Sequence, residues 1–472
     1  MEKQHFLVVT YAAQGHVNPA LNLCRRIARS AGSPRVTFST SIFGHRRLFP
    51  KLADDEEVHD GLIFYVPFSD GYDDGFKMDV DDNNDYQNRI KTVGSKTLAA
   101  VLRSFEECGR PVTCLVYNML LAWVGDLARE YGIRSAVYWI QPATVFAAYY
   151  HYFHGYDGFI ASHRDDPLFT VNLPGLPQFK IRDLPSFIVN AKSDDIYAMA
   201  KRLFQDMFDV LDRQEAAGTT ATVLVNTFDE LEADALVAAG KLKLIPIGPM
   251  VPSSLLEGTK DDVLDLFKPD VKQYMEWLDS KPKKSVVYVS FGSLTVLKQR
   301  QAEEILRGLR ATGRPYLWVV RKDNRAELEA GELKLGEEEE DGMVVEWCSQ
   351  ARVLSHPAVG CFVTHCGWNS TVEALACGMP TVAVPQWTDQ ATNAKLMEIC
   401  GIGVRAEVDA EGAVEAAELR RCVETVMQEG ERAEEMRRRA EMWKDKARVA
   451  VGEGGSSDRN LRAFVEEMAS SS

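Results

Sequence analysis

Short apolar runs alternate with longer amphipathic stretches along the chain. Residues 6–10 (FLVVT) are the first run, and 36–39, 62–66, 114–117 and 221–226 follow at intervals. Each is four to six residues long and bounded by turn residues, the pattern of a strand buried on both faces. After the first run, Ala20, Cys24, Ile27, Ala28 and Ala31 recur on one helical face. Asn18 reads as that helix's N-cap and Pro19 as its first residue. Further helices are predicted over 121–131 and 195–216, and one after a run at 138–142 that carries Thr144. Strands alternating with helices give a parallel α/β sheet, with 221–226 as its last strand. A second set repeats the logic: strands at 286–289, 316–320, 343–345, 361–364 and 381–384, and helices at 299–309, from 369, and at 392–399, 415–428, 432–451 and 458–468.

Between the two sets, Ile245-Pro246-Ile247-Gly248-Pro249-Met250-Val251-Pro252 is stiff and turn-rich, and the polar stretch 253–265 after it is expected to be mobile. The predicted organisation is a first domain over 1–244, a linker over 245–265, a second domain over 266–452 and a terminal helix in 453–472. The acidic stretches 69–86 and 337–341 read as solvated loops.

Composition narrows the function. Net charge is −15, which argues against nucleic acid or an anionic membrane surface as partner. The nine cysteines are scattered with no CxxC pair, so neither a disulfide framework nor a zinc site is expected. Reduced thiols, no apolar run near the roughly 18 residues of a membrane span, and no signal-peptide core all point to a cytoplasmic protein.

The chemistry concentrates between Trp347 and Gln390. The strand at 361–364 runs into His365-Cys366-Gly367-Trp368 and a helix starting near Asn369. Free N–H groups and the positive dipole end at a helix start suit a phosphate, and Asn369 and Ser370 read as caps that still face an anion. Glu373 lies on the same helical face, where a carboxylate suits ribose hydroxyls. Trp347 offers a flat surface for a base. Ser290-Phe291-Gly292-Ser293 repeats the arrangement of strand, glycine turn and hydroxyls. In the first domain, Gln14-Gly15-His16 follows the first strand. Ligands of such sheets bind at the carboxyl ends of strands, which makes His16 a candidate base. Asn118 ends another strand at the same edge. The absence of GxGxxG in this unit counts against a nicotinamide-dependent oxidoreductase. His151 and His154, set among Tyr149, Tyr150, Tyr152, Phe153 and Tyr156, read as an aromatic helix face lining a pocket or core rather than as a metal pair.

Trp347, Gln350, His365 to Ser370, Glu373, Asp389 and Gln390 together resemble the signature box of plant secondary-product glycosyltransferases. The stretches VTYAAQGHVNPALNL and YWIQPATVFAAYYHYFHGYD are similar to the anthocyanin 5-O-glucosyltransferase branch. The resemblance implies the GT-B architecture, two Rossmann-like domains facing a cleft, with the terminal helix crossing back to the first. It implies inverting transfer of glucose from UDP-glucose to a hydroxyl or carboxyl of a small aromatic metabolite such as a flavonoid, hormone or phenolic. On that basis His16 is the general base, and Asn118 stands where the family often has an Asp that orients it. Trp347, the Cys348 backbone and Gln350 meet uracil, and Glu373 takes the ribose. Ser293, His365, Asn369 and Ser370 meet the diphosphate. Thr144, Trp368, Asp389 and Gln390 meet the sugar, Gln390 going with glucose. No metal, no resident cofactor and a monomer are expected. The uncharged Asn118 leaves a non-catalytic nucleotide-sugar binder as the alternative.

Overall fold

The computed structural model describes residues 4–51, 57–77, 85–190, 196–252, 255, 271–330, 338–339 and 342–469. The first sheet contains β1 (His5–Val9), β2 (Arg35–Ser39), β3 (Val58–His59), β4 (Phe64–Tyr65), β5 (Cys114–Asn118) and β6 (Arg134–Trp139). A separate hairpin is made by β7 (Thr170–Val171) and β8 (Phe179–Lys180), and β9 (Thr222–Val225) and β10 (Lys243–Pro246) complete the first sheet. Its order is β10-β9-β6-β5-β1-β2-β4-β3, parallel except at β3. The second sheet contains β11 (Val286–Ser290), β12 (Tyr316–Val319), β13 (Glu338–Glu339), β14 (Gly342–Val345), β15 (Val359–Thr364), β16 (Thr381–Ala383) and β17 (Gly403–Arg405). Its order is β13-β14-β12-β11-β15-β16-β17, parallel except at β13. The central strands are buried on both faces, and Phe6, Leu7, Val8 and Val9 are 0–1% exposed. That is why they appear in the sequence as unbroken apolar runs.

The register explains the position of the site. Val9 of β1 pairs with Tyr117 of β5, so Asn118 and the segment after Val9 emerge together at one sheet edge. In the second sheet, Ser290 pairs with Thr364, which brings the turns after β11 and β15 side by side.

Several local predictions are corrected. The first helix spans Gln14–Ala28 and begins after Ala13, so Asn18 is not its cap and Pro19 lies inside it. Proline has no N–H to give the carbonyl four residues back, here that of Gly15. The Gly15 carbonyl accepts instead from Asn369 Nδ2 of the second domain at 2.8 Å. The first sheet does not end at 221–226: β10 pairs with β9, so Ile245 and Pro246 belong to the sheet rather than to a linker. Glu338–Glu339 is a short antiparallel strand on β14 rather than loop. Of the predicted loops, 78–84, 253–254, 256–265, 337 and 340–341 lie outside the described residues.

The chain returns to the first domain at its end. On the helix Glu431–Val451, Ala447 and Ala450 pack with Phe228. On the helix Ser456–Ala469, Leu461, Phe464, Val465 and Met468 join the first-domain core. Each such buried apolar side chain contributes roughly 1.5–3 kcal/mol. Ser457 Oγ donates to the Gly248 carbonyl at 2.5 Å, and Asn460 Nδ2 to that of Pro246 at 3.0 Å.

Candidate active site

His16 sits in the first turn of the helix Gln14–Ala28, with Nδ1 3.0 Å from Asn118 Oδ1. The Leu120 N–H also donates to Oδ1, at 3.1 Å. A backbone N–H can only donate, so the atom between them is the amide oxygen, and His16 Nδ1 must carry the proton. Nε2 is thereby left as the basic nitrogen. Burial pushes the His16 pKa down to about 4, with the Asn118 bond opposing. The ring is therefore neutral at pH 7, as a base must be. Tyr11 packs edge-on against it at 5.6 Å, and the Tyr11 and Tyr86 hydroxyls are 2.5 Å apart. Asn118 Nδ2 is buried with no hydrogen-bond partner among the described residues.

In the second domain, β15 ends at Thr364, whose hydroxyl accepts the Cys366 N–H at 3.1 Å. Cys366 turns the chain at φ 63°. The helix Trp368–Cys377 then starts with Gly367 as its cap, and no side chain caps it. Asn369 and Ser370 are in its first turn and are not the cap, a correction to the predicted start. The Thr371 N–H makes the first bond back to Gly367, at 3.0 Å, which leaves the N–H groups of Trp368, Asn369 and Ser370 without intrahelical acceptors. Those groups and the helix dipole form an anion site. The His365 ring is wedged between two glycines. A Cβ on Gly292, at φ 75°, would come within 2.6 Å of Nε2, and one on Gly367 within 2.5 Å. Burial holds the His365 pKa down at about 4, so the ring is a neutral hydrogen-bonding group, not a standing positive charge. Ser293 lies on the same Gly292 turn and is half-buried.

Two box residues are committed elsewhere. The Trp368 indole is buried at the domain seam among Val251, Val372, Ala376 and Leu396, and donates to the Asn226 carbonyl at 2.6 Å. Its side chain is therefore not free for the sugar contact expected of it. Asn369 Nδ2 takes the Gly15 carbonyl, one residue before His16, which ties the base directly to the anion-binding helix.

Beyond β14, Trp347 is half-buried and Cys348 buried. The Cys348 sulfur lies 3.3 Å from the Tyr288 hydroxyl, which donates to Gln350 Oε1 at 3.2 Å. Gln350 Nε2 donates to Ser370 Oγ at 3.0 Å and to Glu373 Oε2 at 2.7 Å. Gln350 therefore orients the Glu373 carboxylate, a role its spacing does not reveal.

Asp389 and Gln390 follow Thr388 at the start of the helix Gln390–Cys400. The Asp389 carboxylate accepts from the Thr388 hydroxyl and from Asn393 Nδ2, both at 2.7 Å. Burial raises its pKa. Gln390 Oε1 accepts the N–H groups of Gln386 at 2.8 Å and Trp387 at 3.1 Å, so its NH₂ is the end left for a ligand. Thr144 is buried in the first turn of the helix Ala143–His151. That helix start is capped by a residue with no capping signature in the sequence. The buried Glu232 accepts the N–H groups of Ala143 at 3.0 Å and Thr144 at 2.8 Å. It comes from the acidic segment DELEADALV, which reads as solvated surface. Tyr149 on the same helix stacks on Phe204 at 4.4 Å, while His151 bonds to the Pro174 carbonyl and His154 to Asp212. Among the described residues no group of three or more His, Cys, Asp or Glu side chains is placed to hold a metal ion. No helix among them is long and apolar enough to cross a membrane.

Comparison with known proteins agrees with this geometry. The model of the family "UDP-glucoronosyl and UDP-glucosyl transferase" matches residues 203–449. UDP-glycosyltransferase 75C1 of Solanum lycopersicum is 49% identical over 480 residues, covering 100% of each chain. Anthocyanidin 3-O-glucoside 5-O-glucosyltransferase 1 of Perilla frutescens is 45% identical over 99% of this chain and 100% of its own. The crystal structure of Os79 from O. sativa in complex with UDP superposes with TM-score 0.80 at 31% identity, covering 98% of this chain and 100% of that one. With two Rossmann-like domains in the GT-B arrangement and these full-length relatives, the chain belongs to the UDP-glycosyltransferase family and is a glycosyltransferase.

Proposed function

We propose that this glycosyltransferase moves glucose from UDP-glucose, with inversion, to a hydroxyl or carboxyl of a small aromatic plant metabolite. The observation that carries the reading is the 2.8 Å bond from Asn369 to the Gly15 carbonyl. It sets a neutral, oriented histidine against the open N-terminus of an anion-binding helix. His16 Nε2 takes the acceptor proton as the acceptor oxygen attacks the anomeric carbon, and the bond to UDP breaks on the opposite side. Such general-base help contributes about 10²–10⁴-fold. Negative charge grows on the departing UDP, where the N–H groups at 368–370, His365, Ser293 and Ser370 are aimed; one well-placed donor of this kind is worth about 10²–10³-fold. Trp347 stacks on uracil beside the Cys348 backbone, and Glu373, held by Gln350, takes the ribose. Asp389, Gln390 and Thr144 take the sugar. Glucose is favoured by Gln390 and by the Perilla relative, named as a glucosyltransferase. An aromatic acceptor is supported by Tyr11 and Tyr86 beside His16 and by that relative's anthocyanidin glucoside. The nine free cysteines favour a reducing compartment, and we assign the cytoplasm.

The test is UDP release from UDP-glucose across a panel of phenolic acceptors, with products identified by mass spectrometry. Release should depend on acceptor and continue in EDTA, because helix dipole and hydrogen bonds meet the diphosphate charge. UDP binding without turnover on any acceptor would favour the non-catalytic binder. Complete loss in EDTA, restored by Mg²⁺ or Mn²⁺, would overturn the metal-free account. For the nucleotide, Trp347→Ala should weaken UDP binding by about 1–3 kcal/mol in calorimetry, the scale of base–aromatic stacking. An unchanged affinity would make Trp347 a packing residue only.

A further inference from the structure

The loop that carries Asp389 and Gln390 is not shaped by the second domain alone. Ser186 of the first domain takes both backbone groups of Thr388. Its N–H donates to the Thr388 carbonyl at 2.8 Å, and its hydroxyl oxygen accepts the Thr388 N–H at 2.8 Å. The contacts around this pair also cross between the domains. The Thr392 hydroxyl donates to the Asp183 carbonyl at 2.7 Å, and the Arg405 guanidinium holds the buried Asp183 carboxylate at 2.8 Å. Trp387 packs onto the first-domain core, edge-on to Phe187 with ring centroids 6.0 Å apart.

Thr388 has φ 59°, a left-handed conformation that a β-branched residue seldom adopts. Such a conformation persists only where the surroundings over-determine it, and the two bonds to Ser186 do so here. The conformation has a consequence for the next two residues. It sets the Thr388 hydroxyl on Asp389 Oδ1, in a turn where the N–H groups of Gln386 and Trp387 converge on Gln390 Oε1. The Asp389 carboxylate and the Gln390 NH₂ are presented from that turn. By contrast, Gln350 holds the Glu373 carboxylate from within the second domain, while the helix start at Trp368 meets the first domain through Asn226 and Gly15 rather than through Ser186.

We propose that Ser186 is a positioning residue for the donor sugar: by clasping Thr388 it holds Asp389 and Gln390 in the geometry that reads the sugar. Sugar recognition then depends on the Ser186 contact between the domains, whereas the base and ribose contacts do not. Donor choice is set in part by a residue outside the donor box, 202 positions before Thr388 in the chain. The inference rests on the reading of Asp389 and Gln390 as sugar contacts.

The experiment compares wild type, Ser186→Ala, Ser186→Thr and Gln390→Ala. Affinities for UDP and for UDP-glucose are measured by calorimetry, and kcat/KM for UDP-glucose and UDP-galactose with one acceptor. Ser186→Ala should bind UDP as wild type does, which also reports an intact second domain. It should lose about tenfold in kcat/KM for UDP-glucose, the scale of one hydrogen bond lost from a buried N–H. The preference for glucose over galactose should narrow, and Ser186→Thr, which keeps the hydroxyl, should restore it. Unchanged donor kinetics in Ser186→Ala, or equal losses for UDP and UDP-glucose, would overturn the clasp. If Gln390→Ala also leaves UDP-glucose affinity intact, the sugar-site reading falls and the clasp's role with it. A damaging Gln390→Ala beside a silent Ser186→Ala overturns the clasp alone.

Discussion

Replacing His16 by alanine is expected to lower kcat by about 10²–10⁴-fold and to leave UDP affinity unchanged. The nucleotide contacts proposed above come from the second domain, so the loss is expected in the acceptor step. The same histidine fixes the pH dependence. It works as a base only when neutral, and burial holds its pKa at about 4. Acidic inactivation from this group therefore begins only as pH falls toward that value, and kcat/KM should be level near neutrality. Asn118 adjusts this. Its amide oxygen fixes the tautomer but carries no charge to stabilise the imidazolium formed as the proton is taken. Asn118→Asp puts a carboxylate 3.0 Å from Nδ1, the separation now held by the amide. A neighbouring negative charge favours the protonated ring, by about 1–3 pH units at close range. The acidic limb of kcat/KM should then move to higher pH, while kcat is kept or raised. Asn118→Ala should lower kcat, because nothing then holds the proton on Nδ1. Profiles of wild type and both variants that superimpose would remove Asn118 as the partner of His16.

Glu232→Ala is expected to destabilise the fold by about 2–4 kcal/mol, because two buried backbone N–H groups at the start of the helix Ala143–His151 lose their acceptor. A lower urea midpoint with an unchanged slope would register it. The pH sign follows from the direction of the shift. Burial raises the Glu232 pKa above its ordinary 4.5. A carboxyl raised in the fold contributes stability that is complete below the unfolded pKa and is lost as pH rises through the folded one. Glutamine does not titrate. The deficit of Glu232→Gln against wild type should therefore be largest in acid and narrow as pH rises. An Ala variant with the wild-type midpoint would mean that water satisfies those N–H groups.

The strands were legible because parallel strands covered on both faces need apolar residues at every position, as in β1, β5 and β15. His16 and Asn118 were each legible at the carboxyl end of a parallel strand, and the family resemblance paired them; β1 and β5 are neighbours in the sheet. What the sequence could not carry is chemistry between distant segments. Asn18-Pro19 gives the local signal of a helix start, yet the helix begins at Gln14. The carbonyl that Pro19 leaves unpaired is satisfied by Asn369, from the other domain. The family resemblance gives Trp368 to the sugar site, but its indole fills the domain seam. Pro246 reads as linker, although an edge strand tolerates proline and β10 ends there. Glu232 sits in an acidic segment whose ordinary place is the surface.

The proposed reaction is a single displacement at the anomeric carbon, with His16 on the acceptor side and the helix start at Trp368 on the side of the departing UDP. The most direct measurement is proton NMR of the anomeric position in the product formed early in the reaction of UDP-α-glucose with a phenolic acceptor. The β-glucoside is the expected product, and an α-glucoside would rule out a single displacement.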